Sequence, residues 1–90
     1  MNLKRIRKIT DAEITSIDAL IDAAQEIDKG EVEAKINGIV YKLEVDNDKG
    51  KVKFTDVTNS KVLLDKEWDE NEDLELWLIS QYSKLYKLIE

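Results

Sequence analysis

The sequence contains no histidine and no cysteine. Without cysteine the chain can form no disulfide, and no thiolate is available as a nucleophile or as a metal ligand. Without histidine it lacks the side chain that most often serves as a general base near neutral pH. Catalysis would have to rest on Asp, Glu, Lys, Tyr or Ser, so we expect a protein that is not an enzyme and that needs neither a cofactor nor a metal ion, and an enzyme based on carboxylates is kept as a third alternative.

Proline is also absent, and no apolar run approaches the roughly 20 residues that a membrane span requires. We therefore expect no contact with a membrane. The first residues are basic but no long apolar stretch follows them, so a secretory signal is not indicated and the cytoplasm is the expected compartment. With 90 residues, 42% apolar and 38% charged, the chain is expected to form one small acidic domain that includes a basic N-terminal segment, residues 1–9.

The first periodic stretch predicts a helix over residues 11–29. Thr10 and Glu13 have the spacing of a capping box at its start. Gly30 stands where a glycine commonly ends a helix. Apolar residues recur with a period near 3.6 and predict one buried stripe, formed by Ile14, Ile17, Leu20, Ile21, Ala24 and Ile27.

The next stretch predicts a β-hairpin. Asn37 and Gly38 stand between two alternating runs, which is typical of a two-residue type I′ turn. That turn fixes the register, so we expect the cross-strand pairs Ile36–Ile39, Ala34–Tyr41, Val32–Leu43 and Glu33–Lys42. Further strands are predicted over KVKFTDV from Lys51, where alternation directs Val52 and Phe54 toward the core, and over KVLLD from Lys61.

Residues 74–90 read as a C-terminal helix with Leu74, Trp77, Leu78, Leu85 and Leu88 on its apolar face. The predicted fold class is therefore α+β, in the order α-β-β-β-β-α. It consists of an antiparallel meander sheet of three or four strands, packed by an N-terminal and a C-terminal helix on one face.

Residues 65–75, here called the acidic segment, hold seven carboxylates against one lysine, so their net charge equals the −6 of the whole chain. One interpretation is structural. If Asp69 is the N-cap of the last helix, Glu72 completes a capping box. The neighbouring carboxylates would then be stabilised by the positive end of the helix dipole. This interpretation accounts for four or five of the seven acids and leaves the others as a solvated face.

A second interpretation is functional. Asp18, Asp22 and Glu26, here called the acidic row, succeed each other at four-residue spacing, about 6 Å apart along a helix axis. Like charges at this spacing are mildly destabilising. Two acidic clusters in one small chain suggest that it presents negative charge to a basic partner, although duplex DNA is about three times denser in charge.

Two short stretches of sequence resemble parts of known catalytic or metal-binding motifs, but each lacks residues that the complete motif requires. Glu33-Ala34-Lys35 matches half of a PD…ExK nuclease site, but no acidic strand residue precedes it. Asp46, Asp48 and Gly50 resemble part of a calcium loop that lacks its final glutamate. A hairpin pair and a turn are the simpler interpretations of these residues.

The sequence therefore predicts a non-catalytic module that binds a protein, with no direct nucleic-acid binding. Its size, its acidity, its lack of cysteine and its helix–sheet–helix order resemble those of small phage-encoded inhibitors such as anti-CRISPR proteins. The two acidic clusters predict a decoy that occupies the basic nucleic-acid-binding surface of a partner, using the acidic row with Asp65, Glu67, Asp69, Glu70, Glu72, Asp73 and Glu75. The alternative is an adaptor or a homodimer formed through the apolar flank of the last helix, at Leu76, Ile79, Tyr82 and Tyr86.

Overall fold

A computed structural model describes residues 14–89 of the chain. The helix α1 spans Ile17–Gln25 and is followed by four strands, β1 (Lys29–Ile36), β2 (Ile39–Asp46), β3 (Lys51–Asp56) and β4 (Lys61–Glu67). The helix α2, Leu74–Leu88, completes the order. The four strands form one antiparallel meander, β1-β2-β3-β4, so the predicted α-β-β-β-β-α architecture is confirmed.

The β1–β2 hairpin has the predicted register. Ile36 pairs with Ile39, and the pairing continues through the predicted partners to Lys29 and Asp46. Asn37 and Gly38 both have positive φ, 54° and 83°, as a type I′ turn requires. The two-residue turn has therefore set which side chains of both strands face the core.

The sheet has one apolar face and one charged face. Its buried apolar side chains are Val32, Ala34, Ile36, Tyr41, Leu43, Val45, Val52 and Phe54. The Tyr41 and Phe54 rings stack across β2 and β3 with centroids 5.2 Å apart. Helix α1 contacts β1 and β2, helix α2 contacts β3 and β4, and the two helices contact each other. Both helices therefore cover the apolar face, as predicted, and no helix or strand within residues 14–89 covers the charged face.

The first helix is shorter at its start than the predicted span of 11–29. Ser16 is the N-cap, and its side-chain oxygen accepts a 3.2 Å hydrogen bond from the Ala19 N–H. Ile14 is buried outside the helix, and its carbonyl accepts the Lys35 N–H of β1 at 2.9 Å. This contact with the sheet holds Ile14 in place before the helix begins. The predicted capping box of Thr10 and Glu13 lies outside the described residues.

The same helix also ends earlier than predicted, because Asn47 caps it from the β2–β3 turn. The Asn47 side-chain amide donates to the carbonyls of Ala24 at 2.9 Å and Ile27 at 2.6 Å. Its Oδ1 accepts the hydroxyl of Tyr82 from α2 at 2.7 Å. One side chain thus joins α1, the sheet and α2, and Gly30 belongs to β1 rather than to a helix end.

The last strand is longer than predicted, and the last helix begins at Leu74 as predicted but has a different N-cap. Strand β4 continues to Glu67, because Lys53 and Lys51 of β3 pair with Asp65 and Glu67. The N-cap of α2 is Asp73, whose Oδ1 accepts the N–H groups of Glu75 at 2.9 Å and Leu76 at 3.2 Å. The expected N-cap at Asp69 is therefore wrong, and so is the capping box with Glu72.

Candidate protein-binding surface

The acidic segment consists of three structural parts. Asp65 and Glu67 lie on β4, residues 68–73 form a loop, and Glu75 lies in the first turn of α2. Each of its seven carboxylate residues is exposed. The fold thus brings none of this charge into the core, whereas Trp68 and Leu74 of the segment are half-buried against the core.

Two of the seven acids have clear structural roles. Asp73 caps α2 through the hydrogen bonds described above. Asp69 Oδ1 accepts the Asn71 N–H at 3.0 Å, which closes a short turn in the loop. Glu75 lies in the first turn of α2, where the positive end of the helix dipole stabilises its carboxylate. Local structure therefore explains three of the seven, fewer than the sequence suggested.

The loop is held against the sheet by Trp68. Its indole Nε1 donates to the Glu72 carbonyl at 2.7 Å, and its backbone N–H donates to the Gly50 carbonyl at 2.9 Å. A Cβ on Gly50 would collide with the Trp68 side chain and approach Leu74, and Gly50 has a φ of 86°. Glycine at position 50 is therefore needed both for its conformation and for the space that Trp68 occupies.

Five carboxylates of the segment accept no hydrogen bond within residues 14–89, namely those of Asp65, Glu67, Glu70, Glu72 and Glu75. Asp65 and Glu67 lie opposite Lys53 and Lys51 in the ladder, which partly neutralises them. Glu70 and Glu72 have no such neighbour in the sheet. They are the least compensated charges of the segment.

Glu70 also has a φ of 76°, in the left-handed region that favours glycine. A residue with a Cβ costs about 1 kcal/mol there relative to glycine. The chain thus holds a carboxylate at a position where glycine would be more stable. The Glu70 carboxylate makes no hydrogen bond and no ion pair within residues 14–89 that would explain this choice.

The acidic row lies on the exposed side of α1, and its three members are all exposed. Asp18 lies in the first turn, where the helix dipole favours a carboxylate. Glu26 is the C-cap at the opposite end, where the dipole disfavours one. The dipole therefore accounts for one member of the row only.

Tyr86 joins the acidic row to α2. Its hydroxyl donates to Asp18 Oδ1 at 2.7 Å. This hydrogen bond raises the pKa of Tyr86, and desolvation together with the nearby charges of Asp18 and Asp22 raises that pKa further. The acidic row and the apolar flank of α2 thus meet at one hydrogen bond.

The four residues of the proposed apolar flank differ in exposure, since three are exposed and one is buried. Leu76 is 65% exposed and Ile79 is 52% exposed, and neither packs against the core. Tyr86 is 39% exposed and is bonded to Asp18. Tyr82 is only 4% exposed and donates to Asn47, so it is a core residue and its assignment to an interaction surface is corrected.

The patterns that resembled catalytic or metal sites have structural explanations. Asp46 Oδ1 accepts the N–H groups of Asp48 at 3.1 Å and Lys49 at 2.9 Å, and these hydrogen bonds close the β2–β3 turn. Glu33 lies opposite Lys42 in the hairpin. Within residues 14–89, no three acidic side chains converge as ligands for a metal ion. Neither α1 nor α2 is long and apolar enough to cross a membrane.

Comparison with known proteins gives no relative for this chain. No protein-family model, no curated protein and no solved structure matches it. Its function is therefore inferred from its own surface chemistry.

Proposed function

We propose that this protein is a non-catalytic protein-binding module of the inhibitor type, which occupies a basic, nucleic-acid-binding surface of a partner protein. The acidic segment is the main contact, and the acidic row adds charge to it. Such a module would block the partner by competing with the phosphates that the same surface binds.

The observation that carries this proposal is the pair Glu70 and Glu72. Both carboxylates are exposed and accept no hydrogen bond within the described residues, and Glu70 occupies a backbone conformation that favours glycine. Uncompensated charge of one sign on a small protein speeds association with a surface of opposite sign and selects against like-charged partners. Backbone strain without a local contact is often found at binding sites.

The test is capture of partners from a bacterial lysate at low and at moderate ionic strength. The natural chain is compared with a variant in which Glu70, Glu72 and Glu75 are replaced by lysine. The matched control replaces three exposed acids outside both clusters, Asp28, Glu33 and Asp48, by lysine and has the same net charge. Partners are identified by mass spectrometry.

We expect a nucleic-acid-binding protein that is captured by the natural chain and by the control, is lost with the acidic-segment variant, and is released by salt. Equal capture by all three chains would refute the role of the acidic segment. Equal loss with both variants would show dependence on net charge alone, and it would also refute a specific surface.

A second function is favoured by the exposure of Leu76 and Ile79. These two large apolar side chains lie one helical turn apart on α2 and face solvent. They suit a homodimer or an adaptor contact. In that case the carboxylates of the acidic segment and the acidic row would only keep the rest of the surface polar. Sedimentation equilibrium of the natural chain and of a Leu76→Gln, Ile79→Gln variant distinguishes the two functions. A dimer that the variant abolishes would favour this second function.

A further inference from the structure

The outer edge of β4 presents backbone hydrogen-bonding groups at two acidic residues. The bond from the Trp68 N–H to the Gly50 carbonyl identifies a hydrogen-bonded pair of the β3–β4 ladder. Such pairs alternate along antiparallel strands, so Lys66 and Leu64 exchange bonds with β3. Asp65 and Glu67 consequently direct their N–H and carbonyl groups away from β3, toward the edge.

This edge is open within the described part of the chain. Strand β4 is the last strand of the sheet, and no backbone group of residues 14–89 bonds to Asp65 or Glu67 from outside. The other edge strand, β1, differs because the Ile14 carbonyl already accepts its Lys35 N–H. A register shift between Phe54 and Thr55 limits the regular part of the β4 edge to residues 64–67.

The charges on the open face of the sheet alternate in sign toward this edge. One row runs from Glu44 through Lys53 to Asp65, and a second runs from Lys51 to Glu67. The next position in each row, on an added strand, would therefore be favourable for a positive side chain. On the other face, an added strand would meet the half-buried Leu64, where an apolar side chain fits.

We propose that the edge of β4 binds an extended segment of the partner as a fifth strand, and that basic and apolar residues alternate in that segment. Its basic side chains lie opposite Asp65 and Glu67, and its backbone bonds to theirs. This inference rests on the proposed function, since it specifies how the basic partner is held. It adds backbone pairing to a contact that would otherwise be purely electrostatic.

The first test uses two labelled peptides of equal composition. In one, lysine alternates with valine, and in the other the lysines precede the valines. Binding to the natural chain is followed by fluorescence polarisation, and amide exchange is followed by NMR. We expect the alternating peptide to bind about tenfold more tightly, because only it can present every lysine on one face of a strand. We also expect it to protect the Asp65 and Glu67 amides from exchange.

The second test distinguishes the contribution of the Glu67 backbone N–H to peptide binding from that of the Glu67 side-chain charge. Glu67→Pro removes an N–H that faces the edge and leaves the β3 ladder intact, since proline is tolerated in edge strands. Glu67→Gln removes the same charge and keeps the N–H. We expect Glu67→Pro to bind the alternating peptide about tenfold more weakly than Glu67→Gln does.

Equal binding of the two peptides, together with unprotected Asp65 and Glu67 amides, would overturn strand addition. The proposed function is judged separately, because its variant replaces Glu70, Glu72 and Glu75 and leaves the β4 edge unchanged. Loss of the captured partner in that variant, without edge protection, would refute the fifth strand and leave the decoy function supported. Protection of the Asp65 and Glu67 amides, without capture of a nucleic-acid-binding partner, would support the fifth strand and refute the decoy function.

Discussion

The hydroxyl of Tyr86 on α2 donates a 2.7 Å hydrogen bond to the carboxylate of Asp18 on α1. This bond connects the two surfaces that could serve binding, because Asp18 belongs to the acidic row and Tyr86 to the apolar flank of α2. Both residues are exposed. The bond therefore orients one carboxylate of the row and contributes little to the stability of the fold.

The first prediction concerns the ionisation of Tyr86. Deprotonation would remove its hydrogen bond to Asp18 and place a negative charge beside Asp18 and Asp22, so its pKa is raised. Asp18→Asn should move the pKa of Tyr86 back toward the ordinary value for tyrosine. Absorbance of tyrosinate against pH measures this change, with Tyr86→Phe identifying the signal. An unchanged titration in Asp18→Asn would show that the two side chains do not interact in solution.

The second prediction concerns Tyr82, which is buried beside Asn47. Burial raises the pKa of Tyr82 to about 12 from an ordinary 10.0, and the hydrogen bond to Asn47 opposes part of that rise. A group whose folded-state pKa is raised contributes stability that is complete below pH 10 and is lost as the pH approaches 12. Denaturant unfolding from pH 8 upward should show this decline in the natural chain. Tyr82→Phe should remove most of it.

The third prediction concerns Asn47, which connects three elements. Asn47→Ala removes the cap on the carbonyls of Ala24 and Ile27 and leaves the hydroxyl of buried Tyr82 without its acceptor. We expect a loss of about 2–3 kcal/mol in the free energy of unfolding, measured in urea. Adding Tyr82→Phe should cost less in the Asn47→Ala background than in the natural chain. Additive losses would contradict the proposed link between these two residues.

The fourth prediction compares two glycines with similar backbone conformations. Gly38 has a φ of 83° and open space around its Cα, whereas a Cβ on Gly50 would collide with Trp68. Gly38→Ala should cost about 1 kcal/mol from backbone strain alone. Gly50→Ala should cost at least about 1 kcal/mol more, because overpacking adds to the strain. Similar losses for both variants, by thermal unfolding, would show that Trp68 does not pack against the turn.

The fifth prediction is that replacing Glu70 raises the stability of the fold and weakens binding of the partner. Glu70→Gly relieves a positive φ of 76° and should raise the free energy of unfolding by about 0.5–1 kcal/mol. It should also weaken capture of the partner, because it removes an uncompensated carboxylate. Glu70→Asn, which tolerates the same conformation, should weaken capture with a smaller gain in stability. A stabilised Glu70→Gly variant with full capture would exclude Glu70 from the binding surface.

The parts of the fold that could be predicted from the sequence are those fixed by local chemistry. Asn37 and Gly38 determined the register of β1 and β2, and alternation identified Val52 and Phe54 as core residues. The ends of α1 could not be predicted, because Ile14 is held by Lys35 and the C-terminal cap comes from Asn47. These contacts bring together residues about 20 positions apart, and no local pattern indicates them.

The candidate surface was predicted less completely than the fold. The exposure of the seven carboxylates is expected from their charge alone. The N-cap at Asp73 was not expected, because the bond from Trp68 to the Glu72 carbonyl holds residues 68–73 as a loop, and the sequence pattern does not indicate this bond. The helical pattern places Tyr82 on the apolar face of α2, but it could not show the hydrogen bond from its hydroxyl to Asn47 in the β2–β3 turn. The extension of β4 through Asp65 and Glu67 could have been found by pairing these acids with Lys53 and Lys51 across the turn.

The most direct test of the central claim is a competition measurement. The captured partner is bound to labelled nucleic acid, and this protein is titrated in at low and at moderate ionic strength. We predict that the natural chain and the Asp28, Glu33, Asp48 control displace the nucleic acid at low ionic strength, and that the variant with lysine at positions 70, 72 and 75 does not. A partner that holds this protein and the nucleic acid at the same time would contradict the decoy function.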